Sequence, residues 1–338
     1  PYIIMAANPA IADHYVVAYE TAWSHLVQQM ESRLLDKAKV KPAEGAATRF
    51  NQFAKRSMQA VTTRAAATAQ GADSTLPVRW AYSSVYDDST TFDAWDSTFL
   101  GSVVLPTSET VQAQAYAWNR TVDSILLAAL VGNGYQTSAY SGTGFGGSTM
   151  IAGGGVAPSI STVAFDYANQ AIAKDYVPFS GSAVSSGMTI AKIRRAKRKL
   201  DAAEVPSEGR CLALGAKELE DLLATTEVTN TLYSSVRALT DGDVNHFLGF
   251  DIVRTELLPW FKSADNTYNN ATDVASTGLR TAICWQKDMV GIINGGKKAF
   301  MDVLPTQSHA LQIRTTSVLG AARLQEAGVV AIVSDSAA

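Results

Sequence analysis

The chain has 338 residues, 47% of them apolar and 17% charged, which is enough to bury a sizeable core in two lobes or one elaborated domain and excludes a disordered or collagenous protein. A formal net charge of −3 gives no global attraction to nucleic acid or to an anionic membrane, so any such contact needs a local patch. The two cysteines, Cys211 and Cys284, have no metal-ligand spacing and lie in apolar, strand-like contexts, which predicts buried free thiols and a reducing site of synthesis.

The opening PYIIMAANPAIA lacks the charged region of a secretory signal, and Pro1 is compatible with removal of an initiator methionine. The longest purely apolar run, Ile125 to Val131, is too short to span a bilayer, so a soluble chain with no membrane partner is expected. Residues 1–12 read as extended. Asp13 is an N-cap for a helix to about Val40, with Val16, Tyr19, Trp23, Leu26, Met30 and Leu34 at helical spacing, and Lys41-Pro42 ends it. From Gly45 to Trp95 the pattern turns to short alternations around a turn cluster at Gly71 to Pro77, which predicts a long two-stranded hairpin. Such a hairpin is marginal alone. Its charges are segregated, with Lys55, Arg56, Arg64 and Arg79 on the arms and Asp87, Asp88, Asp93 and Asp96 after them, as suits a protrusion covered by a partner surface; a solvated loop is the alternative.

Thr107 to Val131 predicts a helix of roughly 37 Å, with Val111, Ala115, Trp118, Val122, Ile125, Ala129 and Leu130 along one side and Gly132 at its end. Asn133 to Gly155 is glycine- and serine-rich and reads as a flexible connection. A basic helix begins near Thr189 and ends near Glu204, where Val205-Pro206 stops it. Arg210 to Leu214 reads as a buried strand and Ala216 to Leu223 as a helix facing inward with Leu219, Leu222 and Leu223. Strand signals then run through HFLGFDIVRTELLP, TAICWQ and MVGIINGG to a closing strand around Val329 to Val333. Helices and strands are mixed without βαβ alternation, an α+β pattern.

Chemistry is poorly signalled. Gly142 to Gly147 formally matches GxGxxG, with Asp166 downstream, but it follows a helix and runs into more glycine instead of joining a strand to a helix. None of His14, His25, His246 and His309 has metal-ligand spacing to a second histidine or a cysteine, and there is no GxSxG elbow. No catalytic, cofactor or metal residue is assigned. An acid pair assembled only in three dimensions would make a hydrolase, the weaker reading. Lys192, Arg194, Arg195, Lys197, Arg198 and Lys199 form the densest cation cluster, which reads either as a phosphate contact or, preferred, as a solvated or intersubunit face, since no aromatic platform interleaves with it.

Several stretches, in order, resemble the tailed-bacteriophage major capsid proteins: VQQMESRLLDKAKV, the hairpin to Trp95, NRTVDSILLAALVGN, KRKLDAAEVPSEGRCLAL, HFLGFDIVRTELLP and ARLQEAGVVAIV. The resemblance implies the Hong Kong 97-type fold. It assigns 1–44 to an N-terminal arm and helix, 45–96 to an extended loop, 97–204 to a peripheral domain with spine helix 107–131, 205–315 to an axial domain, and 316–338 to a strand returning to the peripheral domain. It also implies a non-enzymatic shell protein in the virion capsid, assembled in the host cytoplasm into pentamers and hexamers around double-stranded DNA. Implied partners are copies of itself, a scaffolding protein, a portal protein and a cement or decoration protein. Candidate subunit contacts are Arg56, Arg64, Arg79, Asp87 and Asp88. An encapsulin-type compartment shares the fold and is the related alternative. Because the arm begins almost at once, a separate scaffold or a removed propeptide is implied. The absence of lysine between Lys55 and Lys174 argues against covalent crosslinks from the loop.

Overall fold

Arg210–Leu214 is buried at all five positions because both faces of its sheet are covered. The computed structural model describes residues 28–53, 55, 56, 58, 60, 62–64, 78–93, 107–137, 160–178, 184–224, 245–262, 267–269 and 278–335. Its largest sheet has eight strands: β7 (Ala171–Ile172), β8 (Arg210–Leu214), β9 (His246–Phe247), β10 (Phe250–Arg254), β11 (Trp260–Lys262), β12 (Thr267–Asn269), β13 (Leu279–Gln286) and β16 (Val329–Asp335). β13 lies antiparallel to both β16 and β8, and β8 is parallel to β10. Alternate residues feed two cores. Cys211, Ala213, Ile283, Trp285, Val329 and Ala331 face the long helix α1 (Thr107–Val131), while Leu212, Leu214, Ala282, Cys284, Val330 and Ile332 face α3 (Ile190–Ala202) and α4 (Ala216–Ala224). Both cysteines are buried and unpaired, and burial pushes the Cys211 thiol up to about 11.

A second sheet runs in the order β1 (Lys39–Pro42), β14 (Val290–Leu304), β15 (Ala310–Arg323) and β4 (Ser84–Phe92). β14 and β15 form a hairpin of 15 and 14 residues. Residues Ile313, Thr315, Ser317 and Leu319 of β15 are buried, and Gln114 of α1 donates to the Ile313 carbonyl and accepts from the Thr315 hydroxyl. A third sheet orders β2 (Ala47–Asn51), β3 (Val78–Tyr82), β5 (Gly134–Thr137) and β6 (Ile160–Val163). The antiparallel β2 and β3 form the base of the expected hairpin; its turn cluster at 71–77 lies outside the described residues.

Two expectations are corrected. The helix from Asp13 does not reach Val40: residues 28–34 are irregular, a single 3-10 turn spans Leu35–Lys37, and Lys39–Pro42 pairs in parallel with β14. Its earlier part lies outside the described residues. The buried side of α1 follows the expected stripe only in part: Val122 and Leu130 are buried and Trp118 and Ile125 pack on the core, but Gln114, Asp123, Leu126 and Leu127 are buried as well and Val111 is exposed. Two polar side chains with tertiary partners sit on that face, and an apolar count passes over them. The strand expected at MVGIINGG continues beyond its glycines to Leu304 and turns back as β15, an extension with no local signal because its residues are exposed on β14.

Candidate assembly interface

Helix α1 ends where Gly132 donates to the Ala128 carbonyl; a Cβ at Gly132 would lie 2.7 Å from that oxygen. Beyond this end sits Arg323, fully buried. It donates from Nη1 to the carbonyls of Leu130 (2.9 Å) and Gly132 (2.7 Å) and from Nε to Glu326 (2.6 Å), and its guanidinium lies over the Phe165 ring. A cation at a helix C-terminus meets both orphan carbonyls and the negative end of the helix dipole. The other Glu326 oxygen lies 3.1 Å from Arg79 of β3. Burial pushes the Arg79 guanidinium below its ordinary range; Glu326 opposes that and neighbouring Arg323 adds to it. One carboxylate therefore ties β3 to the end of α1.

Midway along α1, buried Asp123 holds the chain entering from the arm. Its oxygens accept from Gln29 Nε2 (2.5 Å), Ser32 Oγ (2.6 Å), Arg33 N (3.0 Å) and Leu34 N (3.2 Å). Asn119 donates to the Met30 carbonyl at 2.6 Å, and Arg120 donates to Gln28 Oε1.

The five residues expected at subunit contacts are not brought together. Arg79 is corrected outright: it is interior, committed to Glu326 of its own chain. Asp87 accepts from Arg314 Nε at 2.8 and 2.9 Å, on the exposed face of β4 and β15, and raises the Arg314 pKa. Asp88 is exposed on β4, and Arg56 and Arg64 are exposed on the segment after β2.

The cation cluster also divides. Lys192 is fully buried and donates to the carbonyls of Ser186 (2.7 Å), Gly187 (2.9 Å) and Val333 (3.1 Å), so it is an internal tether instead of part of a phosphate-facing row. Burial pushes it down to about 8, against the pull of Asp175, Asp335 and Asp221. Lys199 spends its charge on the carbonyls of Asn169 (2.6 Å) and Ala171 (2.9 Å). Arg194 and Arg198 are exposed, Lys197 is partly so, and Arg195 lies over the Tyr176 ring.

The expected chemical decoys resolve into structure. Asp166 is the N-cap of the short helix α2 (Tyr167–Gln170), accepting from Asn169 N at 3.0 Å, and the 142–147 glycine motif lies outside the described residues. His246 pairs with Asp251 at 3.0 Å, and His309 occupies the β14–β15 turn. Among the described residues no three His, Cys, Asp or Glu side chains are grouped to hold a metal, and no helix is long and apolar enough to cross a membrane. Arg323, Glu326 and Asp123 were not singled out from the sequence. The helix-ending Gly132 was the one signal that a capping cation should be sought.

Half of the large exposed apolar side chains among the described residues lie on the segment after β2 and on the β4–β15–β14 sheet: Phe53, Met58, Val85, Tyr86, Phe300, Met301 and Val303. Surfaces of this kind belong to proteins that are completed by contact with other chains. The family model described as phage capsid protein matches residues 11–335, and the chain belongs to that family. No curated protein matches it. Among solved structures it is similar to the capsid of the Cyanophage P-SCSP1u, with 15% identity, TM-score 0.65, and coverage of 96% of this chain and 94% of that one. It is similar to the acidic stable capsid of Helicobacter pylori bacteriophage KHP30, with 12% identity, TM-score 0.65 and 99% coverage of each chain. It is also similar to the capsid of Ralstonia phage GP4, with 10% identity, TM-score 0.63, and 99% and 98% coverage. The fold is that of these capsid subunits, of the Hong Kong 97 type, and the chain is a phage capsid protein.

Proposed function

We propose that this subunit forms the pentamers and hexamers of a shell enclosing double-stranded DNA, assembled in the host cytoplasm, with the part of the 45–96 loop between β2 and β3 lying across the neighbouring subunit, since β4 is paired with β15 of its own chain. The observation that carries this reading is the exposure of Phe53 (79%) and Met58 (102%) on the loop, since two large apolar side chains held in water by their own chain gain most from a neighbour's surface. Arg56, Arg64 and Asp88 are its candidate contact charges. Residues 1–44 then serve as the arm, 97–204 as the peripheral domain and 205–315 as the axial domain, while β16 of the 316–338 segment pairs along its length with β13 of the axial segment and meets the peripheral strands only at β7. A scaffolding protein and a portal protein are its proposed assembly partners, with a cement or decoration protein as an optional one. The exposed cations Arg194 and Arg198, with Lys197 and Arg195 beside them, offer either a phosphate contact or a subunit contact.

Replacing Phe53 and Met58 together by serine, or deleting Gly71 to Thr75, is expected to leave the subunit's melting temperature unchanged while abolishing particles in electron micrographs. Wild-type particles are expected to protect double-stranded DNA from nuclease, whereas protein cargo instead of DNA would indicate an encapsulin-type compartment. Only small monodisperse oligomers under every assembly condition, scaffold included, would overturn the reading.

A further inference from the structure

We propose that the outer edge of β14 pairs antiparallel with the same edge of a second copy, about a two-fold axis through Phe300. The proposal rests on the shell reading only for the presence of neighbouring copies. β1 covers β14 at Gly291–Asn294 and no further. A bulge between Asn294 and Lys297 follows, and from Gly295 to Val303 every residue is exposed, while β15 continues along the opposite side to Leu304. Among the described residues nothing pairs with this free edge. A long edge carrying Phe300, Met301 and Val303 in water is a template for another strand unless it is covered.

Its side chains are complementary to themselves. Lys298, Phe300 and Asp302 share the face turned away from α1, because they stand beside Thr316, Arg314 and Gln312, while Ile313 and Thr315 of β15 are buried toward the helix. Lys298 and Asp302 form no ion pair with another described residue. With Phe300 opposite its own copy, Lys298 faces Asp302 of the other strand, and Asp302 faces that strand's Lys298. On the other face Ala299 meets Met301.

Symmetry leaves little choice of register. Hydrogen-bonded and non-hydrogen-bonded pairs alternate along an antiparallel ladder, so a two-fold perpendicular to the sheet must pass where a residue opposes itself. Centring on Lys298 or Asp302 opposes like charges. Centring on Ala299 places Lys298 against Phe300, and centring on Met301 places Phe300 against Asp302. Only the Phe300 register pairs the charges, and it does so twice. Such a contact is isologous and closes on two copies.

Cys211 and Cys284 are buried, so F300C introduces the chain's one exposed thiol. Under mild oxidation, in purified particles and in free subunits separately, F300C is expected to yield covalent dimers and no larger ladder on non-reducing electrophoresis. K298E and D302K each set two like-charge pairs at the axis and are expected to lower particle yield by about tenfold or more, with the K298E/D302K double variant restoring it. Dimers from soluble protein that never forms particles would keep the pairing and remove the shell. Particles in which F300C stays monomeric, or a double variant no better than either single one, would overturn the pairing and leave the shell standing.

Discussion

Arg323 donates to the carbonyl of Leu130 across 193 residues of sequence, so the last turn of the spine helix is closed by a strand near the other end of the chain. The same guanidinium holds Glu326, which in turn meets Arg79 at the base of the loop. Three elements thus share one buried charge network. Breaking a buried ion pair from one side leaves an uncompensated charge, so Arg323→Met is expected to cost about 3–5 kcal/mol in denaturant unfolding. Arg323→Lys should recover only part of this, because a single ammonium cannot fork between the helix carbonyls and Glu326.

Asp123 gathers the arm through four donors, two of them backbone amides. Asp123→Ala leaves the Leu34 amide buried without its acceptor, and a loss of about 2–3 kcal/mol is expected. Hydrogen exchange provides the local check: the amides of Arg33 and Leu34 should lose protection while those of β13 and β16 keep theirs. Equal loss in both places would show that Asp123 supports the whole core and not the arm in particular.

Lys192 sets a pH dependence. Its folded pKa is about 8 against an ordinary 10.5, so between those values the unfolded chain holds a proton that the folded chain has released. More protons on the unfolded side means that stability rises with pH across this window, by about 3 kcal/mol in total, and is flat in this respect below 8 and above 10.5. Lys192→Met removes the group. Subtracting its unfolding free energy from that of the wild type between pH 7 and 10 should give a difference that moves in the wild type's favour as pH rises; a difference independent of pH would contradict the assignment.

Gly320 of β15 allows the turn between β3 and β4 to approach. A Cβ there would stand 2.2 Å from the Tyr82 carbonyl oxygen, a backbone atom that cannot rotate away. Gly320→Ala is expected to displace the loop base, lowering stability by about 1–3 kcal/mol and impairing assembly more severely than that loss alone implies. Comparison with a variant of equal stability loss elsewhere, such as Ile193→Val in the α3 core, separates the two effects.

Legibility followed locality. Thr189 is the N-cap of Ile190–Ala202, Arg210–Leu214 is a buried strand, and Ala216–Ala224 is the helix after it, all as their local patterns indicate. The arm was misread because Met30 and Leu34 fall at helical spacing, yet Asp123 and β14 offer that segment's backbone partners that no local count includes. The cation cluster was legible as composition and not as arrangement: Lys192 is buried on three carbonyls and Lys199 is held by two, while Arg194 and Arg198 stayed in water.

By itself the sequence determined the long helix and its end at Gly132, the doubly buried strand at Arg210–Leu214, and the order of landmarks that marks a phage capsid subunit, because helical periodicity, chain-breaking residues and continuous apolar runs act within a few residues of one another. Only the tertiary structure decided which charges are spent inside. Arg79, Asp123, Lys192 and Arg323 look in sequence like any surface-forming polar residues, and each is held in the interior by partners far along the chain. A buried charge is tolerated only where such partners converge, and that convergence is a property of the folded chain.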